Sequence, residues 1–180
     1  TVTLQAPAIA GSTTVTLPAS SMNMGNGGGS VSTNTAFGVS ALNANTTGAY
    51  NTAIGRNTLL VNTIGVDNTA VGNGALQSNT TGTDNTAVGF GSMGSNTTGS
   101  ANSAFGQNAL ASNTTGTPND AFGFQALYSN TTGYQNTAVG YQALLLNTTG
   151  IQNVAVGYLS LASNTTGTNN TAVGAGALYS

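Results

Sequence analysis

Cysteine, histidine, glutamate and lysine are all missing from the 180 residues, and Arg56, Asp67, Asp84 and Asp120 are the whole complement of charged side chains. Without cysteine there are no disulfide staples, no thiolate chemistry and no cysteine metal sites. Without histidine, glutamate or lysine the usual nucleophile triads, zinc centres and general acid–base pairs cannot be assembled, so the sequence predicts no catalytic residue, no cofactor and no metal site. A nucleic-acid partner is disfavoured as well, because displacing counterions from phosphates takes several cations and one arginine does not supply them. No apolar run approaches the ~20 residues that span a bilayer, so no membrane insertion is expected. Charged residues make up 2% of the chain, against roughly 25% in an ordinary soluble domain. Solubility must come from Asn, Thr, Ser and Gln.

What the chain has in abundance is repetition. An N-T-A-V-G-like motif opens at Asn34, Asn51, Asn68, Asn85, Asn102, Asn119, Asn136, Asn153 and Asn170, each 17 residues after the last. Each motif closes on a glycine: Gly38, Gly55, Gly72, Gly89, Gly106, Gly123, Gly140, Gly157 and Gly174. A small residue and an aliphatic one follow, as in Ala75-Leu76 and Ala126-Leu127, and then S-N-T-T-G, as in Ser78 to Gly82. The unit is N-T-A-V-G-x-x-A-L-x-S-N-T-T-G-x-x.

Gly, Asn and Thr in every unit exclude helices, while T-A-V reads as a strand core and the Ala-Leu pair as a second short strand. An odd period would flip each column to the other face in one straight strand, so every unit must turn. Glycine tolerates positive φ, which puts the corners at the two glycines of the unit. The predicted fold is all-β: a parallel β-solenoid or β-roll with one turn per repeat, its nine steps of ~4.8 Å making a rod of roughly 40 Å. Stacked columns also account for the missing charge, because like charges at that spacing repel whereas Asn and Thr columns form hydrogen-bond ladders. About three modest apolar side chains per unit are few against the ordering cost of its backbone. Further burial between chains is therefore expected, with a homotrimer the leading arrangement.

Three regions follow: residues 1–20, a short β segment of two strand-like stretches around Pro7 and Gly11; residues 21–33, a Gly-rich connector; and residues 34–180, the repeat array. The array stops at Ala177-Leu178-Tyr179-Ser180, where another N-T-T-G is due, so continuation of the pattern is expected.

Candidate sites are few. Phe90, Phe124, Tyr141 and Tyr158 share the column just after the motif glycine, where they either stack on the sugar rings of a receptor or pack between chains and along the coil edge; packing is the favoured reading. Asp67 and Asp84 share a column in adjacent copies, a paired-carboxylate or calcium arrangement on paper and solvated turn residues on the simpler reading. Asp120 has no acidic neighbour in its column. Asn45, Asn79, Asn96, Asn113, Asn130, Asn147 and Asn164 match the glycosylation acceptor pattern, although their register makes them turn residues first. Thr35, Thr52, Thr69, Thr86, Thr137 and Thr171 form a column, interrupted by Ser103, Asp120 and Val154, of the kind that can match an ice lattice.

The unit, over residues 34–180, resembles repeats of bacteriophage tail-fibre proteins, and T-V-T-L-Q-A-P-A-I-A-G-S-T-T-V-T-L-P-A-S at the start is similar to segments of such fibres. N-T-A-V-G is also similar to the N-S-V-A-I-G motif in the heads of trimeric autotransporter adhesins, a left-handed parallel β-roll with a shorter repeat. The tail-fibre resemblance implies a homotrimeric fibre on a virion, contacting a glycan or protein receptor on the host envelope; it carries over no catalytic residue. The alternative is a bacterial surface adhesin or extracellular filament subunit.

Overall fold

The computed structural model describes residues 27–179, together with three short strands further upstream: β1 (Thr3–Leu4), β2 (Val15–Thr16) and β3 (Met24–Gly25). β1 and β2 pair antiparallel, Thr3 opposite Thr16 and Leu4 opposite Val15. The rest of residues 1–26 lies outside the described residues.

Each repeat supplies one strand at its T-A-V core: β4 (Thr35–Phe37), β5 (Thr52–Ile54), β6 (Thr69–Val71), β7 (Thr86–Val88), β8 (Ser103–Phe105), β9 (Asn119–Phe122), β10 (Asn136–Val139), β11 (Val154–Val156) and β12 (Thr171–Val173). β4 to β12 form one sheet in sequence order, each strand parallel to the next and each residue facing its equivalent 17 places on: Thr35 on Thr52, Ala36 on Ala53, Phe37 on Ile54, through to Val156 on Val173. Parallel neighbours joined by so short a connection require the chain to circle back once per repeat. The protein is thus an all-β parallel solenoid with a 17-residue turn.

Strand alternation fixes what goes inside. The central alanine of every strand is buried, while its neighbours on either side face outward. Across the turn, Ala41, Ala75, Ala109, Ala126 and Ala143 or their Thr58, Ser92 and Ser160 equivalents are buried, and beside them runs a column of Leu42, Leu59, Leu76, Met93, Leu110, Leu127 and Leu144, none of which is exposed. So thin a coil has room for alanine from one wall and leucine from the other.

The Ala-Leu pair does not form the second strand expected of it. Its leucines hold left-handed backbone, φ 49° at Leu42, 46° at Leu59 and 51° at Leu144. Left-handed backbone costs an L-residue about 1–2 kcal/mol, and complete burial of a leucine, at about 1.5–3 kcal/mol, offsets it. Turns close on both sides, Ala41 N–H donating to Gly38 O (3.3 Å) and Asn45 N–H to Leu42 O (3.3 Å). Successive coils stay bonded even here, Leu42 N–H to Thr58 O at 3.0 Å and Thr46 N–H to Thr63 O at 2.9 Å.

The two glycines of the unit differ in their reason. Those closing the motif have φ between 124° and 142°, a region essentially reserved for glycine. Gly48, Gly65, Gly82, Gly99 and their equivalents are absent from the positive-φ residues, and what they need is space: a Cβ on Gly99 would sit 2.8 Å from the Gly116 carbonyl oxygen. The other positive-φ corners fall on the residue two places after the motif glycine, such as Asn57, Gln125 and Leu159, and on the residue before the next motif, such as Asp67 and Gln152. Asparagine tolerates this conformation better than leucine. Leu159→Asn should therefore raise stability by about 0.5–1 kcal/mol, measured by urea denaturation; an unchanged or lower midpoint would count against left-handed strain at that corner.

Two asparagine ladders fill the remaining interior. In the first, the motif asparagines stack: Asn85 Nδ2 donates to Asn68 Oδ1 (3.0 Å) and to Gly99 O (2.9 Å), while Asn85 N–H donates to Asn68 Oδ1 (3.1 Å). In the second, Asn96 Nδ2 donates to Asn79 Oδ1 (2.9 Å) and also to Gly99 O (2.9 Å). Both ladders converge on the second glycine's carbonyl, and no buried side-chain nitrogen or oxygen among the described residues lacks a partner. A third ladder runs through the first threonine of N-T-T-G, Thr80 Oγ1 donating to Thr97 O (3.0 Å) and Thr97 Oγ1 to Thr114 O (3.1 Å).

Within the stretch expected as connector, β3 pairs antiparallel with β4, Met24 on Phe37 and Gly25 on Ala36. A 3₁₀ turn at Gly28–Ser30 lies on the first coil, Gly28 N–H donating to Leu42 O (2.7 Å) and Asn45 Nδ2 to Gly28 O (3.3 Å). Gly28 O thus accepts from Asn45 Nδ2 at the place where, between later coils, the preceding asparagine's Oδ1 accepts, as Asn45 Oδ1 does from Asn62 Nδ2.

Candidate functional site

With the interior filled by Ala, Leu and Asn, whatever the molecule does to other molecules it does on its outer columns. Phe124, Tyr141 and Tyr158 stack on one another, ring centroids 5.2 and 5.3 Å apart and planes within 16°. Phe90 stands two coils before Phe124, with Gln107 between them in the column, and is exposed. Stacking covers the faces between neighbouring rings, while the column ends beside Gln107 on one side and Ala175 on the other. Phe90, Tyr141 and Tyr158 nevertheless stay exposed on the single chain. Beside the rings, Gln142 Nε2 donates to Gln125 Oε1 at 2.7 Å, a further link between coils.

Asp67 and Asp84 occupy left-handed corners of adjacent coils and are exposed; Asp84 Oδ2 accepts from Thr83 Oγ1 (2.9 Å). Asp120 faces outward on β9. Among the described residues no three His, Cys, Asp or Glu side chains come together, and no helix is long and apolar enough to cross a membrane. A hollow at the far end of the coil is lined by Leu161, Asn164, Gly167, Asn170 and Leu178, equivalents of side chains that the following coil covers elsewhere.

The glycosylation-pattern asparagines are the rungs of the second ladder. Asn79, Asn96, Asn113, Asn130 and Asn147 are fully buried, with Nδ2 bonded both to the preceding asparagine and to a glycine carbonyl. A glycan on that nitrogen is incompatible with the folded coil.

The threonine column starting at Thr35 lies on the outer strand face, half-buried at Thr52, Thr69 and Thr86, with Asp120 and Val154 interrupting it. A more regular row escapes the sequence reading. The second threonines of N-T-T-G, at Thr81, Thr98, Thr115, Thr132, Thr149 and Thr166, are exposed in six consecutive coils. Only the different fates of the two threonines distinguish them, the first donating to the next coil and the second facing water; the triplet itself treats them alike. No family model, no curated protein and no solved structure matches the chain.

Proposed function

We propose that the chain is a segment of a fibre shaft with a structural and adhesive rather than catalytic role, of the phage-tail-fibre kind, assembled as a homotrimer and used in attachment to a host surface. The observation that carries this reading is the continuous bonding between coils: backbone ladders, two asparagine ladders and a threonine ladder all run along one axis, which makes a stiff rod. A nearly uncharged surface of Thr, Asn and Gln suits many weak contacts along a length better than one deep site. The resemblance of the repeat to tail-fibre repeats supports the phage setting, and its likeness to adhesin heads supports the alternative of a bacterial surface filament. The absence of histidine, glutamate, lysine and cysteine from the sequence supports the non-catalytic role.

Duplicating residues 68–135, four whole repeats, tests the shaft. The longest dimension from small-angle scattering should rise by about 19 Å with the cross-section unchanged, and labelled protein should still decorate bacterial envelopes. An unchanged length or a widened cross-section contradicts the shaft, and absence of decoration on every envelope tried contradicts the adhesive role.

A further inference from the structure

The outward column that ends each strand is apolar in all nine coils: Phe, Ile, Val, Val, Phe, Phe, Val, Val, Val from Phe37 to Val173. Strand propensity explains β-branched and aromatic residues there, but not the exclusion of everything else. The other outward column of the same strands accepts Thr, Ser, Asp and Val, and the column after the motif glycine accepts Arg56, Asn73 and Gln107. Nine coils of one chain are nine trials of the same environment, and only this outer strand position never admits a polar side chain. Yet Phe37, Ile54, Phe105, Phe122 and Val139 are 38–41% exposed in the single chain. Each of these positions pairs in register with the next, from Phe37 on Ile54 to Val156 on Val173, and Phe105 and Phe122 stack at 5.1 Å, so the column is a continuous ridge.

Resting on the fibre reading above, we infer that this ridge is the face through which copies of the chain associate, side by side and parallel. Two features select a second copy as the occupant. Any partner that follows the ridge coil by coil must itself repeat every ~4.8 Å, and another copy of this chain has that period. In a cyclic assembly each column near the axis meets itself at the same height, which is harmless for valine and phenylalanine and forbids charge, and the ridge has none. Side chains leaving on the order of 40–80 Å² each in water give roughly 500–600 Å² per copy over nine coils, and with the adjoining threonine column they approach the ~800 Å² per partner of a stable interface.

The test is the solution mass of the native chain by sedimentation equilibrium, compared with Val88→Glu/Val139→Glu. These positions are three coils apart, so the new charges do not repel within one chain. The native chain should sediment as a multiple of its single-chain mass. The glutamate variant should weaken association at least ~100-fold, as expected for like charges brought face to face, and keep the native far-ultraviolet spectrum. Thr98→Glu/Thr149→Glu, with the same charges on the second-threonine row, should keep the native mass. If the glutamate variant fails to fold, Val88→Thr/Val139→Thr replaces it, preserving shape and strand propensity, with at least a tenfold loss of association expected. A multimer that survives the valine changes, or dissociates equally with the threonine ones, overturns the face and leaves self-association standing. A single-chain mass for the unaltered protein overturns the association reading and the face together.

Discussion

Asn85→Asp should lower stability at pH 7 by at least ~4 kcal/mol, because it places an unpaired charge in a fully buried ladder. Asn85 gives two hydrogen bonds, to Asn68 Oδ1 and Gly99 O, and its Oδ1 receives two, from the backbone N–H and Nδ2 of Asn102 at 3.1 Å each. A carboxylate keeps the acceptor and turns the donor into a second acceptor, so it faces two oxygens with no proton between. Burial and those oxygens raise the folded-state pKa of the new carboxyl above its unfolded value of about 3.9. Stability relative to native is then greatest below the unfolded pKa and is lost as pH rises from there through the folded one. Asn85→Ala should cost about 3 kcal/mol with no such pH dependence, since the loss there is a stranded buried N–H at Asn102 and a small void. Urea denaturation of native and both variants at pH 7 and near pH 3.5 separates the two effects. An aspartate variant within ~1 kcal/mol of native at pH 7 would mean that the ladder is not buried as described.

Gly89→Ala should cost about 3 kcal/mol or more, from backbone strain and steric conflict together. Gly89 holds φ 137°, and a Cβ there would lie 2.5 Å from Gly106 O and 2.6 Å from Gly106 C, atoms of the next coil's backbone that cannot move without breaking the strand ladder. Gly74 is the control. Its φ is also positive, at 71°, but its Cβ would meet nothing nearer than Gln77 Oε1 at 3.2 Å. Asn57, Gln125 and Leu159 occupy the equivalent corner with φ 56°, 53° and 54°. Gly74→Ala should therefore cost only about 1 kcal/mol. Equal losses at the two positions would show that stacking distance does not explain the first glycine.

The period made the sheet legible from the residues alone. With the motif asparagines at a constant spacing, parallel in-register pairing of Thr86-Ala87-Val88 with its neighbours follows, and so does the exclusion of stacked charge. The conformation of the second half of the unit was not legible. Ala75-Leu76 has the composition of a strand, and only the buried space opposite the alanine wall pays for the left-handed turn that Leu76 takes. Gly82 and Gly89 look equivalent in sequence, yet Gly89 is required by its φ of 137° and Gly82 by the lack of room for a Cβ beside Asn79 Oδ1 and the Gly99 carbonyl of the next coil. The aromatic column was visible, but not the tilt that stacks Tyr141 on Tyr158. These features depend on what lies one coil above or below, which local propensity does not encode.

The most direct measurement of one coil per repeat is a series of pulsed dipolar distances between spin labels on the exposed second-threonine row, in labelled chains diluted with unlabelled ones. From Thr81 to Thr132, Thr149 and Thr166 the separations should be about 14, 19 and 24 Å, rising by ~4.8 Å for each added repeat. Separations that fail to rise in equal steps, or that rise by much more than a strand spacing per repeat, would contradict the solenoid.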